Sequence, residues 1–375
     1  MKLTTLQENL SHALTTVSRS VATQAQLPAL NNILLTTDKG RLKLSATNLE
    51  TGINLWLGAK IEKEGAISIP AKILTEFISS LPAGKVKLEI KENSLKVICG
   101  SYQANFVGLS ASEFPNIPSL KGKANITFKA SDLSQAVSQV AFAAAQDEGR
   151  PVLTGVLLII KDKNLVLVAT DGYRLSIKKM MDVKGIGEVE EFKKGLIIPS
   201  RTLSEVAKIV SEGDQEKAIG LAITSESNQV IFSTPETEVV SRLIEGEFPD
   251  FEKIIPQKGE TKVRLETESL TRATRIASIF ARESANVVKL NVATDNLLVS
   301  ANTAQVGSNI SEVEAKVTGK KNKIAFNSRY LLDFLNSVGV EEINFELTSP
   351  LNPGVFRPVK DKTFLHIIMP VRIQE

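Results

Sequence analysis

The sequence has few of the residues from which many active sites are built. Cys99 is its single cysteine, so no intramolecular disulfide can form and a reducing compartment fits best. His12 and His366 are its only histidines, and they lie far apart in the sequence, which favours packing or surface roles over catalysis. No apolar run approaches the roughly 20 residues that span a bilayer. We therefore expect a cytoplasmic protein with no membrane anchor and no membrane partner.

Motifs of cofactor and nucleophile chemistry are also missing. The sequence shows no P-loop, no glycine-rich dinucleotide motif, no G-x-S-x-G elbow and no cluster with metal-ligand spacing. We therefore predict no cofactor, no metal and no catalytic residue. Asp171, which precedes Gly172 in a turn, is the best carboxylate for catalysis, but a carboxylate there more commonly bonds its own turn backbone.

Two alternative functions remain open on the residues alone. One is a metal-dependent nucleic-acid-processing enzyme that uses Asp171 and nearby carboxylates. The other is a repeat scaffold that binds peptides but not DNA. The net charge of +3 decides nothing, because a nucleic-acid partner would need basic residues concentrated on one face.

An internal threefold repeat is the strongest feature that is present. Each copy reads as a strand, an amphipathic helix, a hydrophobic hairpin, a second helix and closing strands. Proline-containing linkers, "SEFPNIP" and "GEFPDFEKIIP", end the first two copies. We predict an α+β fold of three repeated domains, 1–121, 122–257 and 258–375, with helices on one side of antiparallel sheets.

Basic residues recur at one offset in this repeat. Lys72, Arg201 and Arg329 follow "IPA", "IPS" and "FNS", at the predicted start of the second helix of each copy. A cation in the first helical turn opposes the helix dipole, so its recurrence indicates an anionic partner, with phosphate as the obvious candidate.

The first helix of the third copy adds to this pattern. Its residues Arg272, Arg275 and Arg282 fall on the face opposite Leu270 and Ala277. Such cations contact phosphates rather than bases, so we predict weak, salt-sensitive and sequence-independent binding of double-stranded DNA. The complete set of predicted DNA-binding residues is Lys72, Arg150, Arg201, Arg272, Arg275, Arg282 and Arg329.

Four segments carry a resemblance to a known family. "GRPVLTGV" (149–156), "ATDGYRLS" (169–176), "EGEFPDFEKIIP" (245–256) and "IIMPVRI" (367–373), together with the threefold repeat, closely resemble the bacterial β sliding clamps. These are the processivity subunits of the replicative DNA polymerase, and the resemblance covers essentially the whole chain. It implies a non-catalytic accessory subunit.

The resemblance also implies an assembly. Two chains would join head to tail, and their six similar domains would close a ring around duplex DNA, with helices lining the hole and sheets outside. Heterologous contacts between quasi-equivalent units can close in this way. The family's contact regions place Phe106, Ile279 and Phe280 at the predicted dimer interface.

The resemblance finally implies a hydrophobic groove that receives short motifs, typically a Gln followed by aliphatic and aromatic residues. The implied partners are the catalytic subunit of the replicative polymerase, the clamp loader, and repair and translesion polymerases. The groove residues carried over by motif are Leu153, Thr170, Gly172, Tyr173, Arg174, Leu175, Pro249, Ile254, Ile367, Met369, Pro370, Val371 and Arg372. An aspartate at position 175 is expected to block the groove while folding survives.

The sequence departs from the family's pattern in three places. Gln24 stands where many relatives carry an arginine, so it supplies no phosphate charge. Tyr173 occupies a variable position that is frequently His. Gln374 and Glu375 extend the chain past the usual end, and the added carboxylate is expected to disfavour acidic ligands.

Overall fold

A computed structural model describes residues 1–22, 27–186, 190–224, 228–256, 259–303 and 307–372. Gln24, Gln374 and Glu375 lie outside the described residues. The element order repeats three times, as the sequence predicts, with an extra strand in the first copy and an extra short helix in the second.

The first copy consists of β1 (Lys2–Leu6), α1 (Gln7–Ser18), β2 (Asn32–Asp38), β3 (Arg41–Thr47), β4 (Thr51–Gly58), β5 (Lys60–Lys63), β6 (Ala66–Pro70), α2 (Ala71–Ser80), β7 (Lys85–Lys91), β8 (Ser94–Cys99) and β9 (Tyr102–Val107). The second consists of β10 (Ile126–Lys129), α3 (Ala130–Val140), β11 (Gly155–Lys161), β12 (Asn164–Thr170), β13 (Arg174–Met180), α4 (Glu190–Lys194), β14 (Leu196–Pro199), α5 (Ser200–Ser211), β15 (Ala218–Thr224), β16 (Gln229–Ser233) and β17 (Thr237–Arg242). The third consists of β18 (Thr261–Glu266), α6 (Thr267–Ala281), β19 (Val287–Val292), β20 (Asn296–Thr303), β21 (Gly307–Gly319), β22 (Asn322–Asn327), α7 (Ser328–Val338), β23 (Glu342–Leu347), β24 (Gly354–Pro358) and β25 (Phe364–Ile368).

By its contacts the chain divides into two compact units. Unit 1 comprises Met1–Ser131 and Glu205–Leu243, and unit 2 comprises Asp132–Ser204 and Ile244–Glu375. Unit 1 contains a five-stranded sheet, β5-β1-β7-β8-β9, and an eight-stranded sheet, β10-β15-β16-β17-β4-β3-β2-β6. Unit 2 contains a twelve-stranded sheet, β14-β11-β12-β13-β25-β24-β23-β18-β21-β20-β19-β22. Neighbouring strands pair antiparallel, for example β13 with β25 and β17 with β4.

The helices form where apolar residues recur at helical spacing. α7 buries Leu331, Phe334 and Val338 on one face. Its start is capped by the Asn327 side chain, which accepts a hydrogen bond from the Arg329 backbone N–H at 2.9 Å. Its end is marked by Gly339, whose φ of 63° is the left-handed conformation that glycine adopts without strain. Local sequence therefore sets both ends of this helix.

Aromatic rings fill the part of unit 2 beneath α7. Phe345 and Phe356 stack with ring centroids 4.6 Å apart, and Phe334 lies 5.2 Å from Phe356. Both Phe334 and Phe356 are fully buried. This core fixes α7 against the strands that lead to the C-terminal segment, and it thereby positions the site described next.

Candidate functional site

The corner between β12 and β13 is held by its own side chains. The Thr170 hydroxyl donates to the Arg174 carbonyl at 2.6 Å and accepts from the Gly172 N–H at 3.0 Å. Asp171 Oδ1 accepts from the backbone N–H groups of Tyr173 and Arg174 at 2.8 and 3.0 Å. Gly172 has φ +91°, a conformation that side chains rarely adopt. Within this corner, residue Tyr173 is 60% exposed.

Both oxygens of Asp171 are therefore used within the fold, since Oδ2 also accepts from Arg174 Nε at 3.0 Å. Within the described ranges, no group of three or more His, Cys, Asp or Glu side chains is arranged to hold a metal ion. The alternative of a metal-dependent enzyme that uses Asp171 has no support, because this carboxylate serves as the turn's hydrogen-bond acceptor.

Arg174 joins the corner to α7. Its Nη1 donates to Asp333 Oδ2 at 2.5 Å, and its guanidinium lies 4.6 Å from the Tyr330 ring centroid and 5.4 Å from that of Phe142. The residue is only 7% exposed. Burial, followed by the charge of Asp171, raises the pKa of the Tyr330 phenol above its ordinary value. Arg174 thus braces the corner from inside rather than projecting from its surface.

His366 packs directly beneath this corner. Its Nδ1 lies 2.7 Å from the Ser176 hydroxyl, and its ring stacks on Phe334 with centroids 5.1 Å apart. Complete burial, with the nearby charge of Arg174, holds the pKa of this imidazole well below its usual value. His366 is a neutral packing residue, which agrees with the role expected from the sequence.

The C-terminal segment runs along the corner. β25 pairs with β13 so that Leu175 faces Ile367. Beyond β25, the Met369 N–H donates to the Tyr173 carbonyl at 2.8 Å, and the Val371 N–H donates to the Ala325 carbonyl at 2.8 Å. Met369 and Val371 are half-buried. The segment therefore presents partly exposed apolar side chains next to the corner.

An apolar cluster forms the floor below these segments. Leu175 is 1% exposed and Ile367 is fully buried, and both pack within one hydrophobic cluster. Partly exposed side chains rest on that cluster, and they are Val152, Ile159, Ile244, Phe248 and Ile255. The structure argues against the expectation that an aspartate at position 175 leaves folding intact, because Leu175 lies inside the core, where an unpaired charge is destabilising.

The structure places all thirteen predicted groove residues in unit 2, at different depths. Five are buried, namely Leu153, Thr170, Arg174, Leu175 and Ile367. The half-buried ones are Ile254, Met369, Pro370 and Val371, and the exposed ones are Gly172, Tyr173, Pro249 and Arg372. Val152, Phe248 and Tyr330 also lie at this site, but they were not among the groove residues predicted from the sequence. Phe248 and Val152 lie within the quoted motifs, and Tyr330 follows a recurring helix-start cation, so each position carried a local signal.

The recurring cations occupy equivalent places. Lys72, Arg201 and Arg329 are each the second residue of a helix and each is exposed. On α6, the exposed Arg272 pairs with Glu268 at 2.6 Å, while Leu270 and Ala277 are buried on the other face. Arg275 and Arg282 are exposed as well.

Arg150 lies apart from the helix cations. Its Nη1 is 3.7 Å from the position a Cβ on Gly172 would take, so it borders the β12–β13 corner. Arg19, on the end of α1, donates to Glu212 at 2.5 Å and lies 3.5 Å from Glu205. That arginine is engaged within unit 1.

The three predicted interface residues differ in exposure. Ile279 is 55% exposed, whereas Phe280 is half-buried against the core of unit 2. Phe106 is 9% exposed and packs edge-to-face on Phe77 at 5.5 Å, so its ring points into the fold rather than outward. Its neighbour Val107 is the exposed side chain there, at 82%.

Among the strands that the structure describes, two have an edge without a partner strand next to these exposed side chains. β9 ends its sheet. In β21, Gly307–Glu314 pair with β20, but β18 covers only Ala315–Gly319 on the other side. A cleft of about 820 Å³ lies between this half of β21 and α6, and Ile276 and Glu312 are among its lining residues.

No helix in the described part of the chain combines the length and apolar character needed to cross a membrane.

Comparisons with known proteins give one consistent result. Three family models match in order: DNA polymerase III beta subunit, N-terminal domain, over residues 1–118, central domain over 127–250, and C-terminal domain over 252–372. A beta sliding clamp from Synechococcus elongatus is 30% identical over 379 residues, covering 100% of both chains. One from Staphylococcus epidermidis is 29% identical over 383 residues, covering 99% of both.

Solved structures agree with the sequence comparisons. The DNA polymerase sliding clamp from Bacillus subtilis superimposes with a TM-score of 0.92 at 26% identity, covering 100% of both chains. A sliding clamp from Bartonella birtlesii, solved bound to griselimycin, superimposes with a TM-score of 0.91 at 29% identity, again covering 100% of both chains.

Proposed function

We infer the function of this chain from its family. The chain belongs to the DNA polymerase III β-subunit family, whose members are sliding clamps. It is a non-catalytic accessory subunit built from three repeated clamp domains. The observation that carries this function is the threefold order of strands and helices, with each copy matched by its own domain model. We keep 121 and 257 as the proposed domain boundaries.

The proposed assembly is a head-to-tail homodimer that encircles duplex DNA in the cytoplasm. Three domains in each of two chains suffice for a closed six-domain ring. A closed ring holds DNA topologically, so its contacts can be weak and independent of sequence, and the ring can slide. Such a ring keeps the polymerase on its template.

The open strand edges support the head-to-tail contact. Within the described part of the chain, the free edge of β9 and the uncovered half of β21 each present backbone groups without a partner strand, and a second chain can satisfy them. Val107 and Ile310, at 82% and 71% exposure, supply apolar surface on these two strands, and Ile279 supplies more on α6. The interface proposal therefore keeps Ile279 and Phe280 and replaces the ring of Phe106 with Val107.

The exposed helix cations are the proposed DNA contacts. Lys72, Arg201 and Arg329 occupy the same helix position in each repeat, and Arg272, Arg275 and Arg282 extend the basic surface along α6. These groups would meet phosphates on the wall of the hole. Arg150 is better assigned to the peptide groove, because it borders Gly172.

The surface around the β12–β13 corner is the proposed docking groove for partner peptides. Tyr173, Met369 and Val371 form partly exposed walls above an apolar floor. An adaptable apolar surface of this kind suits a short motif that ends in aliphatic and aromatic residues. The proposed users are the replicative polymerase, the clamp loader, and repair and translesion polymerases.

Topological retention tests the ring directly. The protein is loaded by a clamp loader onto nicked circular DNA, isolated by gel filtration, and the circle is then cut once. A ring slides off the linear ends, so we expect retention on circles and release after cutting. Protein that stays bound to the DNA after the circle is cut would contradict encirclement.

A charge variant tests the DNA surface in the same assay. Lys72→Glu, Arg201→Glu, Arg272→Glu and Arg275→Glu together should shorten retention on circles and flatten its salt dependence, without creating a sequence preference. Four exposed lysines elsewhere, Lys163, Lys184, Lys321 and Lys360, changed to Glu, provide the control.

A further inference from the structure

One face of the five-stranded sheet in unit 1 is crowded with lysines. Strand register places Lys2 opposite Glu89, and Glu89 opposite Lys96. The next row holds Lys60, Thr4 and Lys87. Because residues two apart on a strand share a face, this face carries Lys2, Lys60, Glu62, Lys85, Lys87, Glu89, Lys91 and Lys96. Lys63 pairs with Lys2 at a register shift beside this set.

The net positive charge of this face exceeds that of the whole chain. Six lysines less two glutamates give a formal charge of +4, whereas the whole chain carries +3. One glutamate, Glu62, is paired with Lys2 at 2.8 Å. Glu89 has Lys2 and Lys96 as cross-strand neighbours and Lys87 and Lys91 along its own strand. The lysines therefore outnumber the carboxylates that could neutralise them.

The opposite face of the same sheet is core. Leu3, Val86, Leu88, Leu95 and Val97 alternate with the charged residues and are all buried. Helices line the hole in the proposed ring, so the lysine face belongs to the outer wall. This placement rests on the proposed function. These lysines are consequently distinct from the helix cations assigned to DNA inside the ring.

The chemistry of the face selects its ligand. Every residue of the five strands is described, and this face carries no aromatic side chain on which a base could stack. Its apolar side chains are few: Leu6 is 50% exposed, Val107 stands at the far edge, and Ile98 is half-buried. A partner protein would need an apolar anchor of the kind that dominates interface energy. Neighbouring lysines on a sheet stand about 5 to 7 Å apart, a separation similar to that of successive phosphates on a nucleic-acid strand.

We propose that this lysine face binds the phosphate backbone of duplex DNA outside the ring, as a second DNA-binding surface. Contact would be independent of sequence and strongly dependent on salt, because each neutralised phosphate releases counterions. Such a surface would hold an unloaded ring near DNA before it is opened and closed around it.

Covalently closed circular duplex DNA separates the two surfaces. A closed ring cannot thread onto a closed circle without a loader, so binding of the purified protein to such circles reports the outer wall alone. The measurement is fluorescence anisotropy of the labelled protein as closed circular plasmid is added, at several salt concentrations.

The test variant changes Lys60, Lys85, Lys87 and Lys91 to Gln, all of them exposed. We expect at least a tenfold loss of affinity for closed circles at low salt. The slope of log affinity against log salt should shrink by about 3 to 4, since each lost phosphate contact contributes about 0.9. The matched control changes Lys163, Lys184, Lys321 and Lys360 to Gln, which alters net charge equally and should leave binding near the wild-type value.

Three results would overturn the proposal. They are equal losses in the test and control variants, wild-type protein that does not bind closed circles at low salt, and wild-type protein that binds polyglutamate but not DNA, which would assign the face to an acidic protein. Loader-dependent retention on nicked circles should be unchanged in the test variant. Wild-type protein that is not retained on nicked circles would contradict the ring, whereas weaker binding of the test variant to closed circles concerns the outer wall alone, so the two proposals are judged separately.

Discussion

Arg174 donates a hydrogen bond from Nη1 to Asp333 Oδ2 at 2.5 Å, which ties the β12–β13 corner to α7 across 159 residues of sequence. The same guanidinium bonds Asp171 at 3.0 Å on its other side. The two carboxylates differ in environment, because the Asp171 side chain is 13% exposed and that of Asp333 is 44% exposed. The corner therefore depends unequally on its two acidic partners.

This difference in exposure predicts that replacing Asp171 and replacing Asp333 lower the free energy of unfolding by different amounts. Asp171→Ala strips a buried cation of its more deeply buried partner and breaks the turn bonds, so we expect a loss of about 3 to 5 kcal/mol in the free energy of unfolding. Asp333→Ala removes a partner screened by solvent and should cost about 1 kcal/mol. Urea denaturation measures both. Equal losses would mean that Asp171 is no more important to the corner than Asp333.

Assembly should depend on exposed apolar residues beside the open strand edges. Ile279→Asp places a charge where a second chain is proposed to bury apolar surface, and it should convert dimers to monomers at micromolar concentration. Leu351→Asp is the control, because Leu351 is 66% exposed in the turn between β23 and β24. Sedimentation equilibrium reports the mass, and a dimer unaffected by Ile279→Asp would remove α6 from the interface.

The element order of the fold could be read from the sequence because periodicity records which residues face a core. The helix starts at Lys72, Arg201 and Arg329 were recoverable for the same reason. The direction of the side chains on β9 could not be predicted from the sequence. Strand residues alternate between faces, and "NFV" offers Phe106 and Val107 as equally apolar candidates for opposite sides. Only the packing of Phe106 on Phe77 decides which one faces solvent.

How deeply each groove residue is buried could not be predicted from the sequence either. The motif identifies Arg174 and Leu175 as important without distinguishing a surface residue from a supporting one. Asp333, Tyr330 and Phe142 contact Arg174 and help to bury it. Because these residues come from distant segments of the chain, the sequence around position 174 does not indicate the contacts.

His366 predicts a pH dependence of stability. Its pKa in the fold lies well below the unfolded value of 6.5, owing to burial and to Arg174, so the unfolded chain binds a proton more readily. The stability that depends on neutral His366 is complete above that value and is lost as pH falls below it, with a slope of up to about 1.4 kcal/mol per pH unit.

The variant His366→Gln should remove that contribution while keeping a polar partner for Ser176. Comparing urea denaturation of the two proteins between pH 7 and pH 5 isolates it. The difference in free energy of unfolding between wild type and variant should narrow as pH falls. A constant difference would show that His366 takes up no proton on unfolding in this range.

Peptide docking should depend on Met369, whose N–H bonds the Tyr173 carbonyl and whose side chain is half-buried beside the corner. Met369→Glu puts a carboxylate on the proposed apolar wall, where an aliphatic or aromatic anchor would have to desolvate it. We expect at least a tenfold weaker affinity for a peptide with a Gln followed by leucine and phenylalanine, together with lost stimulation of the polymerase. Dimerisation and retention on circular DNA should persist, because those surfaces are separate. Met181→Glu, at a methionine that is 58% exposed elsewhere, is the matched control. Wild-type peptide affinity in Met369→Glu, measured by calorimetry on protein with an unchanged thermal melt, would place the docking groove away from this corner.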